Sequence, residues 1–337
     1  MATTIKKPSG ASPDTGERRE KRRDVQGTGR LTAVLLSPVF LVLALVVGYP
    51  VLAAFRESLY QHKEGLDSSG FVVSGDTFSG LDNYTAIFSG DNAHVFWNAF
   101  WNTTFFTVAQ VGIETVLGVA MALIMQRAFR GKGLIRASVL VPWAIPTAVS
   151  GLLWRWVFQA DGIANSVIGQ KVLWTTEGFH AKVAVIIADT WKTAPFIGLL
   201  VLAGLQMIPR EVYEAAKVDG ASALQQFRSI TLPLVKPALM VAVLFRLLDT
   251  LRMFDLPFIL IGAHKESVET LSMLALYEAS NLRYGLGAAY ATVLFLYIAV
   301  IAYVFVKLLG ADIIGQARET RKADAKKPLL RRMKVSS

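Results

Sequence analysis

The sequence predicts an all-α polytopic membrane protein with six transmembrane helices. Three observations carry this. Of 337 residues, 53% are hydrophobic, and mean hydropathy is positive, where a soluble domain of this length is more polar. Several apolar runs reach about 20 residues, enough to cross a hydrocarbon core of about 30 Å. No ten-residue alternating strand pattern recurs, which argues against a β-barrel.

The spans fall at 31–55, 99–126, 134–158, 182–208, 238–261 and 285–309. The first contains Pro38 and Pro50, the third Pro142 and Pro146, the fourth Pro195 and the fifth Pro257. The first run is long and no A-x-A site follows it, so it reads as a retained span rather than a cleaved signal. This gives a basic N-terminal tail (1–30), a six-span transmembrane domain (31–310) with a polar loop at 209–237, and a basic C-terminal tail (311–337).

Orientation follows from charge. The segments 1–30, 127–136, 209–237 and 307–337 hold 25 Lys/Arg against 6 in 56–98, 159–182 and 262–284. Both termini and the 209–237 loop are therefore expected in the cytoplasm. The net charge of +10 resides entirely in the two tails. Basic tails beside membrane spans read as contacts with anionic lipid, not nucleic acid. The segment 56–98 is expected to form a small ordered external cap.

Several chemistries are excluded. There is no cysteine, hence no disulfide, thiolate or Cys-based metal site. His62, His94, His180 and His264 fall in separate expected loops without a metal-binding spacing. No G-x-x-x-x-G-K-[ST] occurs, and the G-K-G at 131–133 is not a nucleotide loop. The chain is expected to hold neither cofactor nor metal and to hydrolyse no ATP itself.

The loop EVYEAAKVDGASALQQFRSITLP (211–233) is a polar island between apolar spans. Pro209 suits a first helical position. Glu211 and Glu214 favour the start of a helix dipole. Ala215 and Ala216 allow close approach of another surface. Gly220 is a left-handed stop, with Asp219 supporting the corner. Ser222 and Gln225 form a capping box for a second short helix, which Pro233 and Pro237 are expected to end. An ordinary amphipathic connector would explain this composition equally well.

The residue pattern goes further. Glu214, Ala215, Ala216, Gly220, Ile230, Leu232 and Pro233 stand as E-A-A-x-x-x-G, nine residues, then I-x-L-P. This resembles the EAA motif of the permease subunits of binding-protein-dependent ABC importers. The segments P-W-A-I-P (142–146), W-K-T-A-P-F (191–196) and L-F-R-L-L-D-T-L-R-M-F-D (244–255) are similar to the sugar-importing branch, above all actinobacterial trehalose or maltose importers. The resemblance spans most of the chain. It implies the type I ABC importer permease fold. It also implies a homologous second permease, two copies of an ATP-binding cassette ATPase that carry ATP and Mg, and an extracellular solute-binding (lipo)protein. The first helix of the loop would be the coupling helix, docking on the ATPase.

Charges recur inside the fifth span. Arg246, Asp249, Arg252 and Asp255 lie three residues apart, so neighbours can pair. In lipid they must face an interior or a wet cavity. They mark a translocation path, or they form an internal ion-pair ladder. Asp189, Trp191 and Lys192 open the fourth span, and Gln110 and Glu114 sit within the second. For a sugar, carboxylates and amides would bond hydroxyls while aromatics stack on ring faces. Trp143, Trp154, Trp156, Phe254 and Phe258 are candidates, each also explicable as packing. Asn102 opens an N-T-T triplet at a membrane edge, where glycosylation is irrelevant. A permease for glycerol phosphate, an ion-coupled secondary transporter and a membrane scaffold are the rival readings.

Overall fold

A computed structural model describes residues 32–66, 72–127 and 131–307. The basic tails 1–30 and 311–337 lie outside the described residues. The chain divides at Arg56/Glu57 into two units. The described residues of the first form one helix, α1 (Thr32–Glu57), whose last residue falls in the second unit. Pro50 cannot donate a main-chain bond within it, and the helix widens just before this residue into a π turn at Ala44–Gly48, where Tyr49 N donates to Ala44 O.

The second unit opens with an antiparallel hairpin, β1 (Tyr60–Leu66) and β2 (Val72–Phe78), in register from Tyr60↔Phe78 to Leu66↔Val72. This is the ordered element expected in segment 56–98. Asn83, on the short helix α2 (Asp82–Ile87), fixes its base by donating to Ser58 O and Tyr60 O at 2.9 and 2.8 Å. The base lies so close to Gly285 that a Cβ there would collide with Tyr60 O.

Among the described residues, six helical segments follow the spans read from the sequence when the bent pair in the third is counted as one, with several differences. Helix α3 (Gly90–Gln126) begins at Gly90 rather than 99, because nothing after the left-handed Gly90 breaks it. His94 therefore lies on α3, and His62 lies on β1, not in loops. The third span is two helices, α4 (Lys132–Ala144) and α5 (Thr147–Val157), bent by 95°. Pro146 forces Ile145 into extended backbone, ψ 133°, and the helix stops there.

Beyond the short helix α6 (Ile163–Ile168) comes α7 (Phe179–Gln206). It starts early enough that His180 is helical and that Asp189, Trp191 and Lys192 lie in mid-helix rather than opening it. After α8 (Arg210–Val218) and α9 (Ala223–Gln226), the chain does not stop at Pro233 and Pro237. A π turn at Phe227–Thr231 leads directly into α10 (Leu232–Leu251), which carries both prolines, so Ala223–Leu251 is one helical run. Widening the turn before Pro233 absorbs the missing donor.

The fifth span is in turn interrupted at 252–254, between α10 and α11 (Asp255–Leu260). α12 (Leu271–Ser280) and α13 (Tyr284–Lys307) complete the described chain.

Two of the three core clusters among the described residues are built on α7, and the third joins α2, α3, α12 and α13. Gly118 and Gly198 let α3 and α7 touch: a Cβ on Gly118 would meet Ile197 Cγ2 at 2.6 Å. Gly204 gives α10 the same access, since a Cβ there would fall 2.9 Å from Val235 Cγ2. Such small-residue crossings suit membrane helices, which gain little from apolar burial against apolar lipid.

Candidate functional site: a charged cavity between broken spans

The two interrupted spans meet. Their breaks, at Ile145–Pro146 and at Arg252–Phe254, flank a cavity of ≈ 340 Å³ lined by Trp143, Thr147, Asp189, Lys192, Thr193, Arg246, Asp249, Arg252, Met253, Phe254, Asp255 and Leu256. A helix break frees main-chain groups, which at membrane depth are tolerated only inside protein or beside a wet cavity. Here the freed groups find partners: Lys192 Nζ donates to Ile145 O at 2.9 Å, and Thr270 Oγ1 donates to Met253 O at 2.8 Å. A second space of ≈ 230 Å³ shares Trp143, Thr193, Arg246, Asp249 and Arg252 with the first.

Arg246 is the centre of the ionic network. Its guanidinium is buried and pairs through Nε with Glu114 Oε2 and through Nη2 with Asp189 Oδ2. Nη2 also donates to Glu114 Oε1 at 3.1 Å, and Nη1 to Asp249 Oδ2 at 2.8 Å. Glu114 has no exposed surface and receives Thr193 Oγ1 at 2.8 Å. Three helices, α3, α7 and α10, are thus joined at one cation. Asp249 is different: its side chain is 54% exposed, and its other oxygen accepts from Arg252 Nη2 at 3.3 Å.

By burial these charges fall into two groups. Arg246, Glu114 and Asp189 form a buried knot, while Asp249, Arg252 and Asp255 face open space, with Arg246 and Asp189 also reaching the cavity edge. The expected pairing holds for Arg246–Asp249 and Asp249–Arg252. Asp255 lines the cavity at the first turn of α11.

The remaining candidates disperse. Trp143 lines the cavity and stacks on Phe196, centroids 5.8 Å apart, and Phe254 lies on the cavity wall. Phe258 turns instead to a separate space of ≈ 200 Å³ with His264, Glu269 and Tyr277. Gln110 is buried behind Met253, its Nε2 3.8 Å from Sδ. Trp154 packs on Phe158 and Trp191, and Trp156 is 72% exposed, away from the cavity. Asn102 serves the fold, donating to Glu266 O and Glu269 O. Thr147, Thr193 and Met253 are cavity residues that the sequence reading did not single out. The only signal for Thr193 was its place in W-K-T-A-P-F.

The polar island forms a second surface. Pro209 is the N-cap of α8, one position before the expected one. Gly220 has φ +77°, and the turn is closed by the backbone: Gly220 N donates to Lys217 O and Ala221 N to Ala216 O, a Schellman ending. Asp219 is the C-cap. The capping box is complete, with Ser222 N donating to Gln225 Oε1 at 2.7 Å. Ala216 is buried while Glu214 and Ala215 are exposed, and Tyr213 OH reaches Thr231 Oγ1 at 3.1 Å, bracing α8 against the π turn. Ile230 is half-buried; Leu232 and Pro233 are exposed at the start of α10.

A bundle with two discontinuous spans around a charged cavity, and a braced helix–turn–helix at one end, defines a membrane permease. Residues 114–315 match the family of binding-protein-dependent transport system inner membrane components, and the chain belongs to that family. It is 37% identical to the trehalose/maltose transport system permease protein MalF of Thermococcus litoralis, over 83% of this chain and 93% of that protein. It is 36% identical to the trehalose transport system permease protein SugA of Mycobacterium tuberculosis, over 89% and 93%. It is 33% identical to the sulfoquinovosyl glycerol transport system permease protein SmoG of Agrobacterium fabrum, over 84% and 91%. In fold it is similar to a chain of a bacterial ABC transporter involved in import of the acidic polysaccharide alginate, with TM-score 0.68 and 20% identity over 87% of this chain and 97% of that one. The fold is that of a type I importer permease, a multi-pass inner-membrane component.

Proposed function

We propose that this chain is the translocating permease subunit of an ABC importer for a neutral disaccharide, trehalose or maltose. The observation that carries the reading is the balance of charge around the cavity. Asp189, Asp249 and Asp255 face Lys192, Arg246 and Arg252, and the arginine N–H groups directed at Asp249 are already engaged. A phosphate or sulfonate calls for surplus cationic donors. A polyol calls for alternating donors and acceptors, with ring faces such as Trp143 and Phe254 beside them. A space of ≈ 340 Å³ lies at the lower end of the range for small-molecule sites. The names of the first two relatives agree with this substrate class.

In this reading the 209–237 loop faces the cytoplasm and α8 docks on an ATP-binding cassette ATPase, present in two copies and holding ATP and Mg. Exposed Glu214 supplies polar contacts, and Val212 and Val218 supply apolar ones. A homologous second permease closes the other side of the path, and a solute-binding protein delivers the sugar from outside. The test is uptake of radiolabelled trehalose, with maltose and glycerol 3-phosphate as competitors, in cells carrying the wild-type or Glu214→Lys chain. We expect ATP-dependent uptake, competition by maltose alone, and loss in the mutant. Competition by glycerol 3-phosphate alone would overturn the substrate class. Full uptake with Glu214→Lys would overturn the role of α8.

A further inference from the structure

Glu114 is a carboxylate with no outlet. It lies on α3, is fully buried, and does not line the cavity. Yet it grips Arg246 through both of its oxygens, while Thr193 holds one of those oxygens from α7. Arg246 in turn spends a separate nitrogen, Nη1, on Asp249 Oδ2. A half-exposed aspartate on a cavity wall has several accessible rotamers, and a fixed donor selects one. Glu114 and Asp189 hold that guanidinium from the far side, and Glu114 does so at two of its nitrogens. From this chain of contacts we infer that Glu114 is a positioning residue: through Arg246 it sets the orientation in which Asp249 presents its carboxylate to the passing solute.

The inference rests on the cavity being the solute path. Asp189 also holds Arg246, but it reaches the cavity itself, so its substitution would mix direct and relayed effects. Glu114 puts no atom of its own on the cavity; besides Arg246 it holds Thr193 Oγ1, a lining hydroxyl, so Thr193→Val serves as the control that separates that route from the one through Asp249. A purely structural Glu114 would lower the amount of intact complex, and sugar import and ATP hydrolysis would fall together. A positioning Glu114 changes how many sugars move per ATP, and it does so only while Asp249 is a carboxylate.

The experiment is a double-mutant cycle in proteoliposomes containing the whole importer, read as trehalose imported per ATP hydrolysed. Glu114→Gln and Asp249→Asn are each expected to lower this ratio roughly tenfold, the size of one lost hydrogen bond to a charged group. The double variant should fall no further than Asp249→Asn alone. Should Glu114→Gln fail to accumulate, Glu114→Asp keeps the buried charge but withdraws it by one methylene, and the same cycle applies. If the single effects multiply, or if Glu114 variants leave the ratio unchanged, the relay is overturned while the cavity reading stands. If Asp249→Asn imports like wild type, the cavity reading falls and the relay with it.

Discussion

Replacing Arg246 by methionine asks how much of the bundle depends on one buried cation. The substitution keeps most of the side-chain volume and removes the hydrogen bonds to Glu114, Asp189 and Asp249. Two carboxylates that are almost wholly buried then lose their cation, although Lys192 remains near Asp189. Breaking a buried ion pair from one side costs about 3–5 kcal/mol, because the partner charge stays behind uncompensated. Within a membrane the unfolded helices also find polar partners, which favours the lower end. At about 2–4 °C per kcal/mol for a unit of this size, the melting temperature should fall by roughly 6–20 °C. The assay is a tryptophan-fluorescence melt of the purified complex in detergent. The triple variant Arg246→Met, Glu114→Gln, Asp189→Asn should recover most of the loss, since no charge is then stranded. A melt of Arg246→Met indistinguishable from wild type would refute the view that this knot holds α3, α7 and α10 together.

Two further outcomes are expected. Gly204→Leu should separate α7 from α10, because even a Cβ falls 2.9 Å from Val235 Cγ2; overpacking of this kind costs about 1–3 kcal/mol, visible as a lower melting temperature, and a stable variant would show that the crossing can relax. Glu269, buried in the loop after α11, has its carboxyl pushed above the usual range by burial, with His264 opposing the shift and Glu266 and Glu278 adding to it. A raised folded-state value means this stabilisation is fully present below the ordinary glutamate value, about 4.3, and is lost as pH rises through the folded value. Melts taken across that window should decline with pH, and Glu269→Gln should flatten the decline; an unchanged slope in the variant would remove Glu269 as its cause.

The sequence yielded the bundle and the island because both rest on local physics. Apolar run length marks a span whatever it packs against, and Gly220, Ser222 and Gln225 determine their turn and cap within a few residues. It was silent where distant elements decide. Arg246 and Asp249 read identically along the span, yet Glu114 and Asp189, 132 and 57 residues away, make one a buried knot and leave the other on a cavity wall. Prolines misled in both directions. Pro233 and Pro237 read as terminators, but a π turn carries the helix across, whereas Pro146 sits inside an unbroken apolar run and bends it by 95°. Phe258 and Trp156 show the same limit for aromatics, since ring type says nothing about which side of a helix meets the cavity.

The two surfaces described above belong to one mechanical unit. α7 carries Asp189, Lys192 and Thr193 to the cavity and runs on, through Gln206, to the start of α8. α10 leaves the π turn braced by Tyr213 and carries Arg246 and Asp249 to the same cavity. At 1.5 Å per residue, about 25 Å of helix separates Asp189 from Gln206, and about 21 Å separates Leu232 from Arg246. The two helices cannot slide freely past each other, because Gly204 seats Ala238 and Val235 at one end and Arg246 binds Asp189 at the other. If α8 is the coupling helix proposed above, a push on it would reach the cavity as displacement of a locked pair rather than as bending of a single helix, the kind of rigid-body motion that packed interfaces transmit. The cavity walls on α5 and α11, Thr147 and Asp255, lie beyond the helix breaks, while Trp143 of α4 stays stacked on Phe196 of α7. Relative motion between those walls and the locked pair is then what would open or close the space around Asp249. If the cavity is the solute path, the breaks at 145–146 and 252–254 are where such motion would be taken up, and loss of transport without loss of ATPase assembly in a Pro146→Ala variant would be its sign.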